Sequence, residues 1–233
     1  MLTPNHCTLC RSNEVVAYTA MDNDVNWNLY GINKDGVEKK LLVFYRCDVC
    51  RLIFKDPQIY LRPELEKKRY QLHQNHSIDH GYERYLNRLL EPVLPHLSYS
   101  YVGLDYGCGP NPVLQILLKE KGYKCLAYDP YFFSDPSYLN KKYDFILSSE
   151  VVEHFYLPHQ SWSEMCSLSK INGLIGIMTQ FPPDDLQAFA NWYYHKDPTH
   201  VSFYSAETFE WLAARYGFQI SYLNSESGVV ILT

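Results

Sequence analysis

The chain lacks an excess of positive charge. Its 233 residues include 21 Lys and Arg against 26 Asp and Glu, which gives a net charge of −5 at pH 7. A protein that grips nucleic acid normally shows a basic surface, because Lys and Arg make most phosphate contacts. Short basic clusters at 39–40, 67–69 and 119–124 stand among acidic residues, as on an ordinary solvated face. The charge balance therefore argues against nucleic acid as a partner.

Long hydrophobic runs are also absent. No stretch approaches the roughly 18 apolar residues of a membrane-spanning helix. The first residues, MLTPNH, show no basic segment followed by an apolar run. The chain nevertheless contains 46% apolar residues, enough to bury one core and a small appendage. We expect a protein without a membrane segment, located in the cytoplasm.

Four of the seven cysteines form two Cys-x-x-Cys pairs, Cys7 with Cys10 and Cys47 with Cys50. Each spacing lets two thiolates reach one ion, and four thiolates complete a tetrahedral zinc shell. Such a shell leaves no position for water, so the zinc would be structural. Two alternatives are disulfides, which the missing secretion signal disfavours, and a redox pair, which would need only one Cys-x-x-Cys.

The two cysteine pairs are 36 residues apart, and two strand-like runs lie between or beside them. These runs, at 14–20 and 41–46, flank a middle rich in Gly, Asn and Asp. The pattern predicts a zinc ribbon with a long loop over residues 1–60.

Strands and helices alternate over the rest of the chain. The pattern predicts strands at 101–105, 124–129, 143–148, 174–179, 218–223 and 228–232. It predicts helices at 63–74, from 82 to the proline breaks at 92 and 95, and at 112–121, 158–169 and 206–216. Residues 61–98 would be a helical linker or cap, and 99–233 the main domain. The predicted fold class is α/β, a doubly wound, mostly parallel Rossmann-like sheet with a terminal antiparallel hairpin, plus the small N-terminal zinc ribbon.

A glycine-containing turn follows the first strand of the main domain. The sequence VGLDYGCGPNP, residues 102–112, runs from an apolar strand through Asp105, Gly107 and Gly109 into a Pro-initiated helix. Glycines let the backbone turn tightly and approach a ligand, and the N–H groups of the next helix point at the same place. Asp129 ends the next strand, 20 residues after Gly109, where an acid can accept both hydroxyls of a ribose. The spacing predicts a nucleotide site.

A dinucleotide is the weaker interpretation of this turn, because Pro112 stands where a dinucleotide fingerprint has its third glycine. The segment instead resembles the first motif of the class I S-adenosylmethionine (SAM)-dependent methyltransferases, an acid followed by Gly-x-Gly. The later sequence YDFILSSEVVEHF, residues 143–155, is similar to the fourth strand and following turn of the branch that includes the ubiquinone-biosynthesis O-methyltransferases. The resemblance covers roughly residues 78–233 and implies SAM as the cofactor.

The resemblance also implies where the cofactor is held. In that family the loop after the first strand faces the methionine part of SAM, the acid ending the second strand takes the ribose, and the turn after the fourth strand borders the transferable methyl. The residues at the matching positions are Asp105, Tyr106, Gly107, Cys108, Gly109, Asp129, Pro130, Ser149 and Glu150.

One part of that fold has no room in this sequence. Only 13 residues lie between Asp129 and Tyr143, too few for the usual helix, third strand and second helix. In relatives this region supplies an acid to the adenine amino group, and Asp135 is the only acid available there. The adenine could instead rest between side chains such as Tyr131 or Phe132, for which a plain core role is an equal alternative.

Three histidines are candidate general bases, because histidine titrates closest to neutral pH. The candidates are His154, His195 and His200, with Glu153 and Asp197 as possible partners. For His154 the alternative is a helix-start histidine that bonds backbone. The other two lie in an insertion at 191–204, whose mixture of polar and aromatic residues is typical of a lid or pocket wall but also suits a core.

Three functions remain open from the sequence. The first is transfer of a methyl group from SAM to oxygen, nitrogen or carbon of a small-molecule acceptor. The second is an RNA-modifying methyltransferase whose ribbon grips RNA, and the acidic charge balance counts against it. The third is a non-catalytic module that keeps SAM as a stabilising ligand and contacts a protein partner, which the candidate bases disfavour.

Overall fold

The computed structural model describes residues 4–21, 41–71 and 80–233. Its strands are β1 (Val15–Met21), β2 (Leu42–Cys47), β3 (Ile53–Lys55), β4 (Val102–Tyr106), β5 (Lys124–Tyr128), β6 (Tyr143–Ser149), β7 (Ser169–Met178), β8 (Ser202–Phe203), β9 (Ile220–Asn224) and β10 (Val229–Leu232). Its helices are α1 (Pro63–Gln71), α2 (His80–Val93), α3 (Val113–Glu120), α4 (Pro158–Leu168), α5 (Leu186–Asn191) and α6 (Ala206–Tyr216). None of the helices in these ranges combines the length and apolar character needed to span a bilayer.

The larger of two sheets contains six strands in the order β5-β4-β6-β7-β10-β9. Strands β5, β4, β6 and β7 run parallel to one another. Strand β10 is antiparallel to both β7 and β9, so the last two strands form a hairpin. The predicted α/β fold, with a mostly parallel sheet and a terminal antiparallel hairpin, is confirmed.

Helices cover both faces of this sheet, as the alternating side chains of β6 show. Phe145 and Leu147 belong to a buried cluster with residues of α2 and α3, whereas Ile146 belongs to a second cluster with residues of α4 and α6. Successive side chains of a strand face opposite sides of the sheet. A continuous apolar run such as that of β6 is therefore what a sheet buried on both faces requires.

Strand β7 begins earlier than the apolar pattern indicates. It starts at Ser169 rather than Leu174, because Ser169 pairs with Tyr143 before the register shifts. Within the shifted stretch Asn172 has a positive φ of 63°, and residues 170–172 are exposed. An irregular, exposed strand start carries no apolar alternation, and for this reason the sequence pattern missed it.

Residues 130–142 contain no further strand. The chain there forms an isolated bridge between Asp129 and Phe133 and a 3₁₀ turn at Pro136–Asn140. Strand β5 is therefore at the edge of the sheet, and the expected shortening of this region is confirmed by the sheet order.

The smaller sheet contains β1, β2, β3 and β8, all antiparallel to their neighbours. Three of its strands come from the predicted ribbon, but β8 comes from the insertion at 191–204, and Phe203 pairs with Ile53. The sequence pattern missed β8, because two residues are too few to show a strand period.

The small sheet and the large sheet share one buried core. Tyr45 and Phe54 of the small sheet lie in the same apolar cluster as Trp162 and Tyr204. The backbone N–H of His159 on α4 also donates to the Thr8 carbonyl at 3.3 Å. The N-terminal segment thus packs against the main domain, while the division at 1–60, 61–98 and 99–233 remains a prediction.

Candidate functional site

A cavity of about 880 Å³ lies at the carboxyl ends of β4, β5 and β6. Open α/β sheets bind their ligands at this edge. All nine residues that the resemblance assigns to the cofactor line it; they are Asp105, Tyr106, Gly107, Cys108, Gly109, Asp129, Pro130, Ser149 and Glu150. Helices α1 and α2 and the insertion at 191–204 supply further walls.

The glycine turn brings bare backbone to the cavity. Gly107 and Gly109 have positive φ values of 84° and 67°, which glycine adopts at little cost. The amides of Gly107 and Cys108 donate to the Tyr128 carbonyl at 2.8 and 3.1 Å, and so fix the turn to the end of β5. A Cβ at Gly107 would lie 2.5 Å from Cγ1 of Val151, whereas one at Gly109 would have no atom within 4 Å. Packing thus requires the first glycine, and the second leaves space for a ligand.

The Asp129 carboxylate is fixed by three backbone amides. Its Oδ2 accepts from the Gly109 N–H at 3.0 Å, and its Oδ1 from those of Tyr131 and Phe132 at 2.8 and 3.2 Å. A carboxylate can accept about four hydrogen bonds, so capacity remains for a hydroxyl donor. The same bonds hold the glycine turn and the following loop in place, which gives Asp129 a structural as well as a binding role.

Three buried oxygens on the cavity wall have no hydrogen-bond partner among the described residues. They are Oδ2 of Asp105, Oγ of Ser149 and Oε1 of Glu150. Burial raises the pKa of Asp105 to about 7 and also raises the pKa of Glu150. Glu150 moreover has a positive φ of 54°, a strained conformation for a residue with a side chain. Unmatched buried acceptors are costly, and here they indicate a polar ligand.

His154 and His200 lie side by side on the cavity wall. Their ring centroids are 4.6 Å apart, and both residues line the cavity. Nδ1 of His154 lies 3.1 Å from the Thr199 carbonyl, and Nδ1 of His200 lies 2.8 Å from the Tyr194 carbonyl. A carbonyl can only accept, so each Nδ1 carries the hydrogen and Nε2 is the basic nitrogen of the neutral ring.

A buried carboxylate stands beside this histidine pair. Oε1 of Glu153 lies 3.9 Å from Nε2 of His154. The carboxylate of Glu153 accepts from the Tyr194 hydroxyl at 2.5 Å and from the Thr179 hydroxyl at 3.0 Å. Burial, together with the charge of Glu150, raises the pKa of Glu153 well above its usual range. The raised pKa favours the neutral acid beside a neutral His154, whereas the ionised form of Glu153 would stabilise a protonated His154.

His195 lies outside the cavity and is therefore not included among the bases that we propose. Its side chain is 1% exposed, and its ring packs 5.1 Å from Phe189 and 5.2 Å from Phe44, measured between centroids. Burial, with the nearby Lys55 ammonium, lowers the pKa of His195 to about 4. Its role in the structure is that of an aromatic core residue.

Acid should destabilise the fold through His195. Its pKa falls from 6.5 in the unfolded chain to about 4 in the folded one, so below pH 6.5 the unfolded state takes up a proton that the folded state does not. The free energy of unfolding should fall by up to about 3 kcal/mol between pH 6.5 and pH 4 from this group. Urea titrations at several pH values should show a shallower fall for His195→Phe, and equal slopes would contradict the assignment.

Helix α1 contributes cavity residues that the sequence did not indicate. Glu66, Arg69 and Tyr70 all line the cavity. Arg69 forms an ion pair of 2.7 Å with Asp197, whose Oδ1 also accepts from the Thr199 N–H at 2.9 Å. The charged sequence of this helix shows no apolar face, and only the contact of Arg69 with Asp197 in the insertion shows which face is covered.

The four predicted metal ligands come together. The Sγ atoms of Cys7, Cys10, Cys47 and Cys50 all lie within 4.8 Å of one another. Those of Cys7 and Cys50 are 3.6 Å apart, and those of Cys10 and Cys47 are 3.4 Å apart. Zn–S bonds of about 2.3 Å in a tetrahedron require sulfur atoms roughly 3.8 Å apart, so the cluster can hold one such ion.

The two Cys-x-x-Cys turns have the same backbone geometry. Arg11 and Arg51, which follow the second cysteine of each pair, have positive φ values of 65° and 61°. Their N–H groups donate to the carbonyls of Cys7 and Cys47 at 3.2 and 3.0 Å. Two matching turns in left-handed conformations are unusual for arginine, and they place the two thiol pairs symmetrically.

Comparison with known proteins gives one family and several structural similarities. The family model for a methyltransferase domain matches residues 75–223. CalO1, a methyltransferase in calicheamicin biosynthesis solved in a form with bound S-adenosylhomocysteine (SAH), is similar with a TM-score of 0.47 and 13% identity, over 72% of this chain and 56% of CalO1. A SAM-dependent methyltransferase from Archaeoglobus fulgidus is similar with a TM-score of 0.46 and 25% identity, over 59% of this chain and 69% of that one.

A third similar structure is coclaurine N-methyltransferase bound to N-methylheliamine and SAH. Its TM-score is 0.42 at 16% identity, over 66% of this chain and 52% of that one. The chain therefore spans little more than half the length of CalO1 and of coclaurine N-methyltransferase. No curated protein matches the sequence significantly.

Proposed function

Since this chain belongs to the methyltransferase-domain family, we propose that it transfers a methyl group from SAM to oxygen, nitrogen or carbon of a small-molecule acceptor. The observation that supports this proposal is that residues within the range of the family match line one cavity. The matched range, 75–223, contains the glycine turn and Asp129, which meet at that cavity. Calorimetry with SAH tests the cofactor, and transfer of labelled methyl from SAM to a panel of small molecules tests the reaction.

The cavity suits the chemical groups of SAM. Asp129 would hold the ribose hydroxyls, and the turn at Gly107 and Gly109 would pass beside the methionine part. The unmatched oxygens of Asp105, Ser149 and Glu150 would receive hydrogen-bond donors such as the ammonium group. An ionised acid on the described cavity wall, such as Asp129, suits a ligand with a positive sulfonium.

SAM supplies a methyl group that is already a good electrophile, so the protein has to position the acceptor, exclude water and remove a proton where the acceptor has one. Nε2 of His154 is the atom that we assign to proton removal, because the Glu153 carboxylate lies 3.9 Å from it. His200 would assist as a neutral neighbour, because burial lowers its pKa well below the usual value. Tyr193 and Tyr194 of the insertion line the same cavity and would contact the acceptor.

We also propose that the four-cysteine cluster holds one structural zinc ion. Four sulfur ligands leave no open coordination position, and the cysteines do not line the cavity among its described residues. The ion would therefore join the turn before β1 to the turn between β2 and β3 rather than take part in the transfer. RNA as acceptor and a purely binding role remain alternatives, which comparison of RNA and small molecules in the transfer assay separates.

Replacement of His154 should slow turnover far more than it weakens cofactor binding. For an acceptor that loses a proton, we expect His154→Gln to lower kcat at least about a hundredfold, since a positioned base contributes 10²–10⁴. SAH affinity by calorimetry should change little. His200→Gln should have a smaller effect on kcat.

The exposed His96 provides a control for the histidine variants, and His96→Gln should match the wild type. If neither cavity histidine lowers kcat about tenfold on replacement, proton removal does not depend on a histidine in this protein.

A further inference from the structure

Glu66 is a buried acid in the cavity wall for which the transfer reaction gives no role. Its side chain comes from α1, outside the range of the family match, and only 7% of it is exposed. The Tyr70 hydroxyl donates to Oε1 at 2.6 Å, and the Tyr131 hydroxyl donates to Oε2 at 2.8 Å. Each carboxylate oxygen can accept a second bond. Glu66 can therefore receive one more donor from a ligand in the cavity.

Tyr131 connects Glu66 with the acid assigned to the ribose. The Tyr131 N–H donates to Oδ1 of Asp129 at 2.8 Å, and the hydroxyl of the same residue donates to Glu66. The two carboxylates are thus separated by about one tyrosine side chain along the cavity wall. In adenosine the ribose hydroxyls and the amino group of the base lie at opposite ends of the molecule, so two acids in this arrangement match its two donor ends.

Besides Asp129, which we assign to the ribose, Glu66 is the acid of the described cavity wall that bonds to Tyr131. Asp135, the only acid in 130–142, lies outside the cavity and uses its side chain to accept from the Ser137 N–H at 2.9 Å. Asp197 is paired with Arg69 at 2.7 Å. An adenine amino group buried without an acceptor would lose the hydrogen bonds that it makes to water, and Glu66 is placed to replace one of them.

We propose that Glu66 accepts a hydrogen bond from the adenine amino group of the bound cofactor and so helps to select adenosine over other nucleosides. The proposal rests on the use of SAM proposed above. It also gives helix α1 a direct part in cofactor binding. This helix follows strand β3 of the small sheet after only seven residues, 56–62.

The selectivity between two nucleosides tests this directly. S-inosylhomocysteine carries a carbonyl oxygen in place of the adenine amino group, and calorimetry can measure its affinity beside that of SAH. The wild type should prefer SAH at least about tenfold, because a carboxylate accepts from the amino group and repels the carbonyl. In Glu66→Gln the side chain keeps its size but can donate as well as accept. The preference should therefore fall at least about fivefold, with weaker binding of SAH and stronger binding of the inosine analogue.

Glu64→Gln is the matched control, because Glu64 lies one half-turn away on the same helix and is exposed. It should keep the wild-type preference. A Glu66→Gln protein with the wild-type preference would overturn the proposal, and so would equal weakening of both ligands, which would show that Glu66 only packs α1 onto the cavity. A wild type that binds neither ligand would instead contradict the use of SAM itself.

Discussion

Asp129→Asn should lose most of its affinity for SAH while it keeps its fold. The substitution removes the charge that receives the ribose hydroxyls, and a hydrogen bond to a charged group contributes about 1.5–3 kcal/mol. One acceptor position of the carboxylate remains beside its three backbone bonds, so loss of that bond corresponds to a fall in affinity of at least about tenfold. Calorimetry with SAH measures the affinity directly, and circular dichroism checks the fold.

Asparagine is a better replacement than alanine at this position. The Asp129 carboxylate accepts three backbone N–H bonds, from Gly109, Tyr131 and Phe132, and alanine would release both loops at once. Asparagine keeps one acceptor oxygen and the side-chain volume. A fall in affinity with an unchanged melting temperature then reports on the ligand contact rather than on the loops.

Asp135→Asn serves as the control for this experiment. Asp135 is exposed and lies outside the cavity, so its replacement should leave SAH affinity unchanged. If Asp129→Asn also binds SAH like the wild type, the ribose assignment is wrong, and the reading of the glycine turn as the cofactor site loses its main support.

The features that the sequence predicted are those set by local chemistry. The apolar run of β6 and the glycines with positive φ at Gly107 and Gly109 follow from rules that act within a few residues. Asp129 follows the same logic, because an acid at a strand end faces the edge of the sheet where ligands bind. The mostly parallel sheet with its terminal hairpin therefore agrees with the sequence, and the nine residues assigned to the cofactor line one cavity.

The features that the sequence did not predict depend on how segments far apart in the sequence pack against one another. His195 and His200 are five residues apart in one insertion, yet the first packs against Phe189 and the second lines the cavity. No period links them, because the chain between them forms neither helix nor strand beyond one short turn. The same holds for Glu66, whose burial depends on the distant Tyr131. Contacts between segments far apart in sequence leave no local signal.

The order of the small sheet alters the expected consequence of removing the metal. The sequence alone predicts that loss of the metal loosens residues 1–57 far more than the main domain. In the structure β3 of this segment pairs with β8 from the insertion, through Ile53 with Phe203 and Phe54 with Ser202. Loss of the metal should therefore also reach the insertion, which carries His200 and Tyr194.

Cys47→Ser should accordingly release the zinc and loosen both segments. Structural zinc contributes on the order of 10–16 kcal/mol in isolated zinc-finger peptides, and the shared core around Tyr45 and Trp162 should retain part of the fold here. Hydrogen exchange should increase strongly at residues 4–21, 41–58 and 197–204 and remain slow in β4 and β6. Elemental analysis should find one zinc per chain in the wild type and less in the variant.

Cys166→Ser provides the matched control, because Cys166 lies on α4, away from the four-cysteine cluster. It should keep both the zinc and the exchange pattern of the wild type. Two results would count against a structural metal: wild-type protein purified without chelator that contains far less than one zinc per chain, or a Cys47→Ser protein with unchanged exchange in the N-terminal segment. Loosening confined to 4–21 and 41–58 would instead show that β8 keeps its place without β3. The insertion would then be held by its own contacts, among them the Arg69 and Asp197 ion pair of 2.7 Å.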